Sequence, residues 1–225
     1  MVRIDNVYQK VLAIINKEQR GYITPQEFNL FANHAQMDIF EQYFYDINQF
    51  NRVPGNDTDY SDMLSLLEEK IALFQKIKKL TFTDPHFIKP IDLYRIGSLQ
   101  TNLSEIEQVT QKEYLNIQLS PLARPTINRP IYIDSSKGFR VYPHFTNDVH
   151  LHYVKRPEDV NWGYVVVGDH ALYEPSTSKN FELHASEETN LVVKILALAG
   201  LSIGDISIYQ TAVAEDNKNI QQEKA

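Results

Sequence analysis

The chain has 225 residues, 43% hydrophobic and 11% aromatic, enough to bury one large core or two small, closely packed ones. It contains no cysteine, which excludes disulfides and thiolate metal sites. A net charge of −7 argues against a grip on nucleic acid made by wrapping phosphates in Lys and Arg, and no apolar run approaches the roughly 20 residues of a membrane-spanning helix.

The opening stretch MVRIDNVYQKVLAIINK lacks the continuous apolar core and small-residue cleavage site of a secretory leader. It reads instead as an amphipathic helix over about residues 4–19, because Val7, Val11, Ile14 and Ile15 recur at helical spacing. The following NKEQRGYITPQEF has the outline of a calcium loop, with Gly21 sixth and Glu27 twelfth when Asn16 is counted first. Its fifth position is Arg20, however, a fixed cation with no lone pair to offer. A helix start explains more. Thr24 is an N-cap, Pro25 suits the first helical position, Glu27 completes a capping box, and Ile23 with Phe28 forms a hydrophobic staple.

A long second helix is expected from Pro25, with Phe28, Phe31, Ala35, Ile39, Tyr43 and Ile47 on one stripe widened by Phe40 and Phe44. The short turn before it favours an antiparallel helix pair. After a polar loop, NQFNRVPGNDTDYSD, residues Met63, Leu66, Leu67, Ile71 and Phe74 predict a third helix ending near Gln75. The period then changes. KKLTFTD, DLYRIGSL and SEIEQVT read as strands, QKEYLNIQL as a short helix, and SPLARPTINRP as irregular chain. RPIYID, FRVYP and VHLHYVKRP follow with turns between them. Ile131, Ile133, Phe139, Val141, Val149, Leu151 and Tyr153 are expected to share the buried face of an antiparallel meander. WGYVVVG adds an apolar strand. A last helix is expected over EETNLVVKILALAG, capped by Ser186, stopped by Gly200, and buried through Leu191, Val192, Ile195, Leu196 and Ala199. The tail AEDNKNIQQEKA is polar. The expected class is α+β: an N-terminal helical bundle, a central antiparallel β meander and a C-terminal helix packed back. The regions are 1–76, 77–185 and 186–225, read as one integrated domain.

Candidate chemistry is sparse. His150 and His152 share one face of a strand, with His144 nearby, but no third and fourth metal ligand converges with them. His184, Glu187 and Glu188 fit a helix start whose acids favour the dipole. KIKK at residues 76–79 reads as a solvated helix end. There is no phosphate-binding glycine loop and no nucleophile elbow. No catalytic residue, metal ligand or cofactor is therefore assigned. The alternative of a metal-dependent or hydrolytic enzyme would rest on His150 and His152, and a third alternative is a cytosolic binding protein. The stretch NWGYVVVGDHALYEPSTSKNFELHASEE holds the single Trp, further aromatics and a Ser/Thr-rich turn. Trp162, Tyr164, Tyr173 and Phe181 are candidates for a partner interface, since aromatics anchor interfaces; a hairpin packed on its own core is the other reading.

Two stretches, NKEQRGYITPQEFNLFANHAQMDIFEQYFYDIN and WGYVVV…FELHASEETNLVVKILALAG, resemble virion structural proteins of crass-like, short-tailed bacteriophages, where such proteins occur as tail ring proteins. The order of long helices, β region and late helix is similar to that of head-to-tail connector proteins of short-tailed phages. The resemblance implies a twelvefold homo-oligomeric ring below the portal, contacting the portal protein and neighbouring tail ring proteins. Genomic DNA would be passing cargo in its channel. It implies no membrane partner, and a protein made in the host bacterial cytoplasm and carried in the virion.

Overall fold

The computed structural model describes residues 1–17, 23–50, 57–101, 104–144, 148–168, 170–203, 210–215 and 217–218. The chain divides into two compact units, residues 1–73 with 157–225, and residues 74–156. The α+β class is the one expected, with helices before and after a large, mostly antiparallel sheet. Residues 157–185, expected with the sheet, belong to the same unit as the helices.

The first unit is built on α1 (Ile4–Lys17), α2 (Pro25–Phe50), α3 (Asp57–Ala72) and, from the far end of the chain, α5 (Glu188–Ile203). α5 packs on α1 and α2, and α3 packs on α2. The capping box at the start of α2 is present. Thr24 N–H donates to Glu27 Oε2 at 2.9 Å, and Glu27 N–H donates to Thr24 Oγ1 at 3.2 Å. Ile23 and Phe28 on either side of it are both buried, as a staple requires. Residues 18–22, the rest of the calcium-like stretch, lie outside the described residues.

The start and end of α5 differ from the sequence reading. His184, not Ser186, is the capping side chain: its Nδ1 accepts from Ser186 N–H at 3.3 Å above a short 3₁₀ turn, Ala185–Glu187. Glu187 is not a solvated first-turn acid. It is 2% exposed and pairs with Lys70 Nζ at 2.7 Å. Gly200 does not stop the helix, which continues to Ile203. A glycine inside a helix weakens it by about 1 kcal/mol, less than burial of the flanking apolar face contributes.

The second unit holds one eight-stranded sheet. Its strands are β1 (Gln75–Lys79), β2 (Phe82–Thr83), β3 (His86–Phe87), β4 (Leu93–Thr101), β5 (Glu105–Gln108), β6 (Ile131–Ser135), β7 (Gly138–Tyr142) and β8 (Val149–Lys155). α4 (Gln111–Leu119) sits between β5 and β6. The order across the sheet is β1-β8-β4-β5-β6-β7-β3-β2, antiparallel except between β5 and β6. The two end strands, β1 and β2, are separated in sequence only by Leu80 and Thr81, so the sheet curls until its edges come from one short run of chain.

The curled sheet encloses Leu80, Phe87, Leu99, Ile106, Tyr132, Phe139, Val141, Val149, Leu151 and Tyr153. Two expectations need correction here. β6 and β7 form a hairpin, but β8 crosses away to lie between β1 and β4, so the three are not a meander. In β6 it is Tyr132, not Ile131 and Ile133, that joins this core: the pairing of Tyr132 with Val141 sets the parity, and a one-residue slip reverses the face. KIKK is likewise no helix end. It is most of β1, a strand at the edge of the sheet whose five residues are all exposed.

Candidate interaction surface

α2 carries three amides on one stripe, Asn29, Asn33 and Gln36. Each grips the extended chain that follows β8 within the first unit's own sequence. Asn33 Nδ2 donates to Val160 O at 3.0 Å while its Oδ1 accepts from Val160 N–H at 2.7 Å. Asn29 Oδ1 accepts from Trp162 N–H at 2.7 Å, and its Nδ2 donates to Asn161 Oδ1 at 3.0 Å. Gln36 Nε2 donates to Glu158 O at 2.8 Å, and its Oε1 accepts from Glu182 N–H at 3.3 Å. Steps of four and then three helical residues rise about 6 and about 4.5 Å, against about 6.7 Å for two extended residues, close enough for flexible amide side chains to bridge. Successive amides therefore meet every second residue of the strand, and each amide replaces the neighbouring peptide a β-ladder would supply.

Trp162 is set down by this ladder. It is 1% exposed, its ring lies 4.0 Å from that of Tyr8, and its Nε1–H donates to Asp5 Oδ1 at 3.2 Å. Gly163 follows, and a side chain there would collide with Thr177. The Ser/Thr-rich turn is a clasp: Ser178 Oγ donates to Glu174 O at 2.7 Å and accepts from Gly163 N–H at 3.0 Å. On this base stands a two-stranded hairpin of β9 (Tyr164–Val167) and β10 (His170–Tyr173), with Gly168 at φ +62° in its turn. Positive φ is easily reached by glycine, and hairpin turns of two residues need it.

The four residues expected at a partner interface are thus divided. Trp162 and Phe181 are buried within the chain itself. Tyr164 and Tyr173, directly opposite each other, are half-buried with rings 5.9 and 5.8 Å from Trp162, so they tie the hairpin to its base. The residues left outward are aliphatic: Val165, Val166, Val167 and Leu172 are 46%, 63%, 58% and 53% exposed. Consecutive exposed valines mean that both faces of the arm are open, since alternate side chains point to opposite faces. The sequence signal was the run VVV, which carries no polar alternation and so does not read as a strand with one wet face.

The second unit also exposes apolar residues. α4 begins at a second capping box, Thr110 with Glu113, and buries none of its residues. Leu115, Leu119 and Leu122 on it and just after it are exposed. Beside them lies a cleft of about 500 Å³ lined by Glu105, Glu107, Ile117, Leu122, Arg124 and Arg129 among others. His150 and His152 are half-buried on β8, opposite Lys79 and Ile77 on one side and Gln100 and Ser98 on the other. No carboxylate or imidazole stands among these cross-strand neighbours, and no group of three metal-ligating side chains occurs among the described residues. Asp92 is held by Tyr153 and Lys76. Tyr153 Oη donates to its two oxygens at 3.0 and 3.1 Å, and Lys76 lies 3.5 Å away. Burial raises its pKa, but these donors outweigh burial and hold it below the usual carboxylate range.

The chain matches no family model and no curated protein.

Proposed function

We propose that this chain is a subunit of a homo-oligomeric ring in the tail of a short-tailed phage, a tail ring or connector protein below the portal and around the DNA exit channel. The observation that carries the reading is the presence of an apolar exposed surface on each unit: the β9–β10 arm on one, and α4 with Leu122 on the other. Rings close through heterologous contacts, which need two different surfaces on every subunit. The two stretches that resemble crass-like phage ring proteins include α2 with its amides, Trp162 and the β9 strand of the arm. The net charge of −7 suits a channel wall that DNA passes without sticking. In this reading the subunit meets copies of itself in a twelvefold ring, the portal protein on one side and neighbouring tail ring proteins on the other. Native mass measurement of the purified protein, with protein identification in purified virions, tests it. A ring mass together with presence in the virion is the expected result; a strictly monomeric protein absent from virions overturns it.

A further inference from the structure

Each unit leaves a backbone edge open, and the two units carry opposite net charge. Among the described residues β1 pairs with β8 alone, and its bonding parity can be read from its flanks. Lys155 N–H donates to Phe74 O, and Leu80 N–H donates to Val149 O, both at 2.8 Å. Bonded pairs alternate along an antiparallel ladder, so Lys76 and Lys78 bond β8 while Gln75, Ile77 and Lys79 turn their N–H and C=O groups to the open edge. In the hairpin, Glu174 N–H donates to Gly163 O at 2.9 Å, so by the same alternation Tyr164 and Val166 turn theirs outward from β9. Both open edges are short, flat in their exposure and centred on an aliphatic residue, Ile77 at 66% and Val166 at 63% exposed.

Charge separates the same two regions. Residues 74–156 hold 12 Lys and Arg against 7 Asp and Glu, net +5, whereas the rest of the chain holds 10 against 22, net −12. β1 supplies Lys76, Lys78 and Lys79 without an acid. Lys76 and Lys79 reach only exposed carboxylates, Asp92 and Asp148, and Lys78 meets none among the described residues. The hairpin, residues 164–173, holds Asp169 and no Lys or Arg; of the acids flanking it, Glu158 pairs with Lys179 at 3.6 Å, while Asp159 and Glu174 have no Lys or Arg partner among the described residues.

We propose, resting on the ring reading above, that the ring contact is a strand addition: the open edge of β9 in one copy pairs with the open edge of β1 in the next. Lysines on an edge strand oppose pairing with an identical edge, because like charges then face each other. They do not oppose the hairpin Tyr164–Tyr173, which has no Lys or Arg and a single acid, Asp169. The arrangement thus selects a head-to-tail contact over a symmetric dimer, which is what ring closure requires. Main-chain hydrogen bonds supply the pairing, and Ile77 with the valines supplies the apolar contact.

Ile77→Pro and Val166→Pro each delete one outward N–H while leaving the internal ladder of the strand intact. Each variant alone is expected to run as a folded monomer by circular dichroism and native mass measurement. Mixed in equal amounts, the two are expected to form a one-to-one dimer and nothing larger, because one intact β1 and one intact hairpin remain per pair. Should Ile77→Pro unfold, the Lys76→Glu, Lys78→Glu, Lys79→Glu triple variant replaces it with the same expectation. A wild-type ring whose mass both variants preserve overturns this contact and leaves the ring reading standing. Folded monomeric variants that fail to dimerise on mixing also overturn the contact. A wild-type monomer overturns both. Binding of duplex DNA that the triple variant abolishes, with ring mass unchanged, assigns β1 to nucleic acid instead and overturns the proposal.

Discussion

At the scale of single residues, two hydrogen-bonded clusters have checkable energetics. Thr24 closes the capping box of α2, so Thr24→Ala should lower stability by about 1 kcal/mol in urea unfolding. Glu27 in the same box has its pKa lowered by the Thr24 backbone N–H and then its hydroxyl. Its contribution is therefore present above the ordinary carboxylate range and lost as pH falls through its folded value. Tyr153 and Asp92 form the second cluster. Burial first, then the hydrogen bond to Asp92, pushes the Tyr153 phenol up to about 12. A folded pKa above the unfolded one gives stability that is complete below about 10 and lost as pH rises toward about 12. Asp92, held low, has the opposite sign and loses its contribution in acid. Tyr153→Phe should accordingly cost about 1 kcal/mol near neutral pH, an amount kept modest because the Asp92 side chain is 37% exposed. The gap between wild type and variant should close both below the carboxylate range and above the phenol's. Unfolding curves across pH measure it, and a gap that stays constant shows that the pair is not its source.

At the scale of elements, the amide ladder and the hairpin separate what folds the first unit from what the arm offers outward. Asn33→Leu strips both hydrogen bonds from Val160, a buried residue, and an unsatisfied buried peptide group costs about 1–3 kcal/mol. Trp162→Ala removes a buried ring from against Tyr8 and should cost about 3–5 kcal/mol. Val166→Thr, by contrast, changes an outward side chain and should stay within about 0.5 kcal/mol. Thermal unfolding of the three variants checks the order; a Val166→Thr as costly as Trp162→Ala would place the arm in the core. These elements also mark where sequence reading succeeds and stops. Capping boxes and helical stripes are local, so α1, α2 and α4 stand in the sequence almost as they stand in the fold. The placing of β8 between β1 and β4 is non-local: nothing in VHLHYVK names its neighbours, and β7 was the nearer candidate. Nothing local marks Asn29, Asn33 and Gln36, because their partners lie more than 120 residues away. Aromatic content singles out this segment without telling an outward ring from an inward one, since a ring that anchors an interface and one that fills a core share a composition; Trp162 and Phe181 are buried in the chain.

At the scale of the whole molecule, the net charge of −7 conceals a division that only the fold reveals, because the acidic unit is assembled from the two ends of the sequence. The division makes a statement about assembly. If copies meet through the basic edge of one and the arm of the next, which stands on the acidic unit, self-association is driven in part by attraction between exposed charges, and such attraction is screened by salt. Raising ionic strength from about 0.1 to about 1 M shortens the Debye length from about 10 to about 3 Å. Association through the β1 edge should then weaken by about tenfold, which corresponds to about 1.4 kcal/mol. Contacts dominated by the aliphatic surfaces, Val165–Val167 on the arm or Leu115, Leu119 and Leu122 on the other unit, would respond in the opposite sense with a salting-out anion such as sulfate, which strengthens apolar burial. Sedimentation velocity in sodium chloride and in sodium sulfate at matched ionic strength separates the two. Dissociation in both salts identifies the charged edge as the dominant contact. Growth of the assembled fraction in sulfate shows that the valines and leucines hold the copies together and that the lysines of β1 only choose which edge they meet.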